Sequence, residues 1–210
     1  MNITLIDYAK NKFLSSEGGH HLAGHKAAEH AIASAWKSYS RKELTLRKKE
    51  ILISKDRNGK PRGAVQSGSH LKKVAISISH AFPFALGAAS ADEGFSLGAD
   101  VERIRNFSPA VRSAFLTPSE NFVLNAKPQI ERQFYATLCW SLKESVLKAL
   151  GAGLRVRPSR VDVSKALLRR DGAATIRVDK IEYHSKIKWQ SIDKNRYVIA
   201  VVALPKGRAV

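Results

Sequence analysis

IERQFYATLCWSLKESVLKAL, residues 130–150, followed by Gly151-Ala152-Gly153, reads as one long helix with a marked end. Tyr135, Leu138, Cys139, Leu142, Val146 and Ala149 recur at helical spacing and form one apolar stripe. The glycines close the helix, because glycine accepts the left-handed backbone needed at a helix C-terminus. A striped helix of this length has to cover another layer, so the segments around it decide the class. Downstream, Val161 to Val178 reads as two strands around Asp171-Gly172, and Ile187 to Ile192 pairs with Tyr197 to Leu204 across a turn at Asp193 to Asn195. Just upstream, Thr117-Pro118-Ser119-Glu120 is a helix start, with a capping hydroxyl and then Pro at the first helical position.

The first half repeats the theme. After a short strand at Ile3 to Leu5, an alanine-rich helix is predicted over Leu22 to Trp36. A basic stretch, Arg41 to Glu50, leads into the strand Ile51-Leu52-Ile53. Asp56-Arg57-Asn58-Gly59-Lys60-Pro61 punctuates as a turn. Val74 to Ser79 alternates apolar and Ser positions as a strand does, and Phe84 to Ser90 and Leu97 to Val101 are further short apolar runs. A helix followed by strands in each half predicts an α+β fold with antiparallel sheets covered by helices.

Composition narrows the function. The 210 residues are 44% hydrophobic, enough to bury a core. Lys and Arg number 36 against 18 acidic residues, a formal charge of +18 that predicts anionic partners. Cys139 is the single cysteine, which excludes an internal disulfide framework and any multi-cysteine zinc site. No apolar run is long enough to span a membrane, and Met1 to Lys12 lacks the core of a signal peptide. A cytoplasmic protein is expected.

Three acids stand out. Asp100-Val101-Glu102 ends an apolar strand, and residues two apart on a strand share a face, so both carboxylates point one way. That spacing also fits an edge strand entering a solvated turn. Glu144 and Lys148 are four apart on the long helix, adjacent on its surface and roughly opposite the apolar stripe; a plain surface pair has the same spacing. Two carboxylates about 4 Å apart repel by roughly 4 kcal/mol at an effective dielectric near 20, so three together would call for a cation between them. Oxygen-only ligands suit a hard divalent ion, most naturally magnesium. Ser77-Ile78-Ser79-His80 ends another strand, where a histidine is either structural or a phosphate donor, and Lys60 sits in a turn.

Taken in order, these residues resemble the 4'-phosphopantetheinyl transferases of the larger, surfactin-synthetase-activating type. The resemblance is carried by Gly59-Lys60-Pro61, Ser77-Ile78-Ser79-His80, and Leu97-Gly98-Ala99-Asp100-Val101-Glu102. It continues through Phe115-Leu116-Thr117-Pro118-Ser119-Glu120 and Phe134-Tyr135 to Trp140-Ser141-Leu142-Lys143-Glu144-Ser145, and ends on Lys148 with Gly151-Ala152-Gly153-Leu154. It runs from about His20 to the last strand. It implies two similar α+β halves related by a pseudo-two-fold axis: residues 1–96 on the coenzyme A side, and residues 97–210 with the metal site and catalytic helix. Coenzyme A is then expected in the cleft between them.

The resemblance further implies that Asp100, Glu102 and Glu144 meet on one magnesium, and that Lys60, Ser79, His80 and Lys148 bind the coenzyme. His25-Lys26 matches a His-Arg pair that helps hold the nucleotide phosphates. A hydroxyl residue often follows that pair; here it is Ala27. Lys10 and Lys12 are candidates for further positive charge. Glu144 is expected as the base, Lys148 as the group that stabilises or protonates the leaving phosphate, and an acidic apo carrier protein as the acceptor. A monomer is expected, with no membrane and no nucleic acid among its partners. The alternative from another class is a basic nucleic-acid-binding module, which would use the charge excess but leave the carboxylates unexplained.

Overall fold

Two five-stranded sheets, each with one long helix packed on it, make up the computed structural model of the chain, which describes residues 1–7, 19–40, 50–57 and 59–207. The chain divides into two compact units, Met1–Leu97 and Gly98–Val210. Every strand pair of described register is antiparallel, so the class is α+β, as the alternation of helix and strands predicts. The basic stretch over residues 41–49, and Lys10 and Lys12, lie outside the described residues.

In the first unit the order of elements is β1 (Asn2–Asp7), α1 (Gly19–Ser40), β2 (Ile51–Lys55), β3 (Pro61–Ser67), β4 (His70–Ala81) and β5 (Phe84–Ser90). Its sheet runs β1-β5-β4-β3-β2. Helix α1 meets the sheet through Ala23, Ala27, Ala28, Ala31 and Ala35, all buried and on one face of the helix. Small residues let backbones approach: a Cβ on Gly87 of β5 would fall 2.3 Å from the carbonyl carbon of Ala27.

The chain then runs β6 (Phe95–Arg103), α2 (Pro109–Phe115), α3 (Pro118–Asn125), α4 (Arg132–Leu150), β7 (Val161–Asp162), α5 (Ser164–Leu167), β8 (Asp171–Val178), β9 (Ile181–Ile192) and β10 (Tyr197–Pro205). The second sheet is ordered β6-β10-β9-β8-β7. Helix α4 covers β10, and Leu138, Leu142 and Val146 sit fully buried with Ile187, Ala200 and Val202. It ends on Gly151 at φ 67°, the left-handed residue that the sequence requires there. Helix α3 starts with Thr117 and Glu120 in a reciprocal capping box.

The structure corrects several local expectations. A tight 3-10 turn at Gln129–Glu131 precedes α4, so the helix proper begins at Arg132. Residues 161–178 are not two strands about Asp171-Gly172. A two-residue strand and the short helix α5 come first, and Asp171 opens β8. Strand β3 and helix α2 were not expected. Pro61 and Gly63 obscure the first, although proline is tolerated at the first residue of a strand. The second is short, and the sequence offers Ser108 as its cap, accepting from the Val111 N–H.

Candidate active site

Strand β6 and helix α4 touch because one residue lacks a side chain. A Cβ at Gly98 would lie 1.8 Å from the Ser145 carbonyl oxygen, so only glycine admits the helix backbone this close. Two residues on, Asp100 is 3% exposed, and the Lys148 ammonium donates to its Oδ1 at 2.7 Å and to the Ala99 carbonyl at 3.2 Å. Two residues further, Glu102 Oε1 accepts from the Trp140 indole N–H at 3.1 Å. Trp140, Glu144 and Lys148 follow one another at i, i+4 and i+8, so one edge of the helix runs beside the strand and Glu144 holds its middle turn.

The electrostatics reflect this crowding. Glu102 is pushed up to about 7, first by burial and then by Asp100; the Trp140 hydrogen bond, Arg105 and Lys148 pull the other way and lose. That rise is on the order of 3–4 kcal/mol against ionisation before solvent screening is allowed for. Glu144 is also raised, by burial first and by Asp100 second, with Lys148 opposing. Asp100 therefore acts electrostatically on both glutamates, while Lys148 supplies the local positive charge. As the side chains stand, among the described residues no three of His, Cys, Asp or Glu converge on a point that a metal ion could take.

Trp140 is locked from its other side. Its ring meets Phe115 edge-on at 5.3 Å between centroids, and Phe107 and Phe115 meet at 5.2 Å. Lys143, one position before Glu144, lies about 100° round the helix from it and is fully buried. It pairs with Glu120 at 2.8 Å and donates to the carbonyls of Pro158, at 2.9 Å, and Val161. Glu120 accepts in turn from the Thr117 and Val163 N–H groups at 2.7 and 2.8 Å. Each charge is fully hydrogen-bonded, the condition under which a buried pair is tolerated. This clamp ties α3 and the segment entering β7 to α4. Sequence reasoning gave neither residue a role, because a lysine within a helix reads as a surface group. Cys139 is buried, and burial pushes its thiol up, consistent with core packing.

In the first unit, Ser79 is buried and His80 half-buried at the end of β4, opposite Leu86 and Ala85 of β5. The His80 imidazole lies against the first turns of α1. A Cβ on Gly24 would fall 2.3 Å from its Nε2, and the His21 ring stands edge-on at 6.1 Å. Exposed His25 and half-buried Lys26 directly follow Gly24 in the second turn of α1. Lys60 is half-buried in the β2–β3 connection.

The model of the 4'-phosphopantetheinyl transferase superfamily matches residues 96–202. The 4'-phosphopantetheinyl transferase ffp of Bacillus subtilis is 27% identical over 161 residues, covering 77% of this chain and 66% of that protein. The 4'-phosphopantetheinyl transferase psf-1 of Bacillus pumilus is 26% identical over 144 residues, covering 69% and 57%. The 4'-phosphopantetheinyl transferase Sfp of Bacillus subtilis strain 168 is 27% identical over 162 residues, covering 77% and 67%. The matched region thus spans about two thirds of the two Bacillus subtilis relatives and less of the third. Among solved structures, the holo-[acyl-carrier-protein] synthase of Thermotoga maritima aligns with a TM-score of 0.39 at 17% identity, over 54% of this chain and 66% of that one.

Proposed function

We propose, from the premise that this chain belongs to the 4'-phosphopantetheinyl transferase superfamily, that it moves the 4'-phosphopantetheine arm of coenzyme A onto a serine hydroxyl of an apo carrier protein. The observation that carries the reading is the helix edge Trp140, Glu144 and Lys148 laid along β6, which sets an acid and an amine beside Asp100 and Glu102.

The donor chemistry suits magnesium. Asp100, Glu102 and Glu144 offer oxygens alone, as hard divalent ions prefer. Their three formal negative charges meet Lys148 and, at Glu102, Arg105, and the surplus that remains is what such an ion would balance. When bound there, the ion would offset the charge of the coenzyme's diphosphate.

The residues have separate tasks. Glu144 takes the proton of the attacking serine hydroxyl. The serine oxygen bonds to the phosphorus bearing the pantetheine arm, the diphosphate P–O bond breaks, and 3',5'-adenosine bisphosphate leaves with the electron pair. Lys148, fixed by Asp100 and the Ala99 carbonyl, stabilises or protonates that leaving phosphate. Lys60, Ser79, His80, His25 and Lys26 hold phosphates as donors. The charge of +18 would speed the encounter with an acidic carrier domain and make it salt-sensitive. Its docking segment is Phe107 to Phe122, where a cavity of about 520 Å³ is lined by Arg112, Leu116 and Asn121, and Phe122 is exposed.

Intact-mass spectrometry of apo carriers from fatty acid, polyketide and nonribosomal peptide systems, incubated with the protein, coenzyme A and magnesium, tests this. One carrier should gain the phosphopantetheine mass, and Asp100→Ala should remove the gain. Transfer that survives in the variant would defeat the assignment of the site.

A further inference from the structure

We infer that Asp56 is a positioning residue that pre-sets Lys60 for phosphate binding, an inference that rests on the reading of Lys60 given above. Asp56 and Lys60 both lie in the connection between β2 and β3, and Asp56 grips Lys60 twice. The Asp56 N–H donates to the Lys60 carbonyl at 3.0 Å, and Asp56 Oδ1 accepts from the Lys60 N–H at 3.0 Å. The Gly59 N–H closes the turn onto the Asp56 carbonyl at 2.9 Å.

Gly59 sits at φ +78° with nothing near a would-be Cβ, so the glycine is there for its left-handed backbone and not for space. Pro61 then restricts Lys60 to an extended conformation. The Lys60 backbone is therefore held at its N–H, at its carbonyl and at its following bond, and only the side-chain torsions are left to adjust. The second carboxylate oxygen of Asp56 accepts from Arg62 Nε at 3.1 Å and Nη2 at 2.8 Å. Its charge is thereby matched, and an incoming phosphate meets no unmatched acid on this loop.

Pre-ordering of this kind acts on binding, because a loop already in its bound shape loses less freedom when ligand arrives. Removing the carboxylate should therefore weaken coenzyme A without slowing the chemistry. Asp56→Ala should raise the calorimetric Kd and the KM for coenzyme A about fivefold, the scale of one lost capping hydrogen bond, with kcat within about twofold. Asp56→Asn, which keeps an oxygen for the Lys60 N–H, should restore most of the affinity.

Lys60→Ala serves as the reference. If it weakens coenzyme A and Asp56→Ala does not, the positioning role is wrong and the reading of Lys60 stands. If Lys60→Ala leaves the Kd unchanged, that reading fails and the inference falls with it. Equal losses in the Ala and Asn variants, or a kcat and thermal midpoint that fall alongside the affinity, would assign Asp56 a structural role and also overturn the proposal.

Discussion

Counted from its own first strand, each half of the molecule has the same sheet order, and each lays its long helix on a strand through a glycine or alanines. What differs is the content of that contact. Helix α1 presents Ala23, Ala27, Ala28, Ala31 and Ile32, and its buried positions are all apolar. Helix α4 buries Leu138, Leu142 and Val146 on one side, and Ser141, Lys143 and Ser145 elsewhere on its circumference, with Glu144 and Lys148 at the rim. The second half also carries α2 and α3 between its first strand and its helix, and these supply Phe115 against Trp140. Topology thus provides a helix-on-strand scaffold, and residue choice along one rim sets Glu144 and Lys148 beside Asp100 and Glu102, the groups proposed above to carry the chemistry.

The largest effect should come from that rim. Glu144→Gln is expected to lower transfer about 10²–10⁴-fold, the usual scale for loss of a general base, with the thermal midpoint nearly unchanged. Ile32→Val, on the apolar contact of the first half, should cost about 0.5–1.5 kcal/mol of stability and leave activity per folded molecule alone. Mass spectrometry of the carrier and urea unfolding report the two quantities separately. If both substitutions hurt stability and spare transfer, the division of labour between the helices is wrong.

Next comes the buried ion pair of α4, Lys143 with Glu120. Lys143→Ala leaves Glu120 charged in the core and should cost about 3–5 kcal/mol, whereas Lys143→Met combined with Glu120→Leu should recover most of that. A single Lys143→Met variant as stable as the parent would show that the pair contributes nothing.

The two close approaches allow a matched test of smaller size. Gly87→Ala and Gly98→Ala each force a methyl into backbone, at 2.3 Å and 1.8 Å respectively, and each should cost about 1–3 kcal/mol. Only Gly98→Ala should also lower kcat per folded molecule, because it pushes α4 from the strand that holds Asp100; Gly87→Ala, which meets α1 at Ala27 beside His25 and Lys26, should act on the KM for coenzyme A instead. Equal kcat in both variants would uncouple that contact from the chemistry.

Much of this contrast is legible in the sequence, for identifiable reasons. The apolar stripe of α4, its Gly151 end and the Thr117 cap are local signals, and the structure keeps all three. Asp100 and Glu102 share a face by strand alternation, and Lys148 follows Glu144 by one turn, so each pair could be read without the other. Bringing the pairs together needed the family resemblance, since Lys148 and Asp100 are 48 residues apart. Other features left no local trace. Lys143 is a charged residue whose burial depends on Glu120 and on two carbonyls beyond the helix. Residues 161–178 alternate loosely enough for strands, yet tertiary packing folds Ser164–Leu167 as a helix turn with Ala166 and Leu167 buried.

A smaller effect separates the halves by pH. Glu102 titrates near 7 in the folded protein, against about 4.3 for an unperturbed glutamate. The folded state therefore keeps this proton to higher pH than the unfolded chain does. Its contribution to stability is complete below about pH 4 and is lost as pH rises through 7. Glu102→Gln carries no charge at any pH and can still accept the Trp140 N–H. It should be more stable than the parent at pH 8 by about 1–2 kcal/mol, allowing for solvent screening at a partly exposed carboxylate, and should match it near pH 4. Magnesium with coenzyme A should narrow the gap at pH 8 by stabilising the parent more than the variant. Ile32→Val, in a cluster with Val65, Val74 and Ile76, should show a constant offset across the same range. Thermal melts at both pH values decide the matter: a Glu102→Gln offset that does not change with pH would mean that burial and Asp100 do not strain this carboxylate.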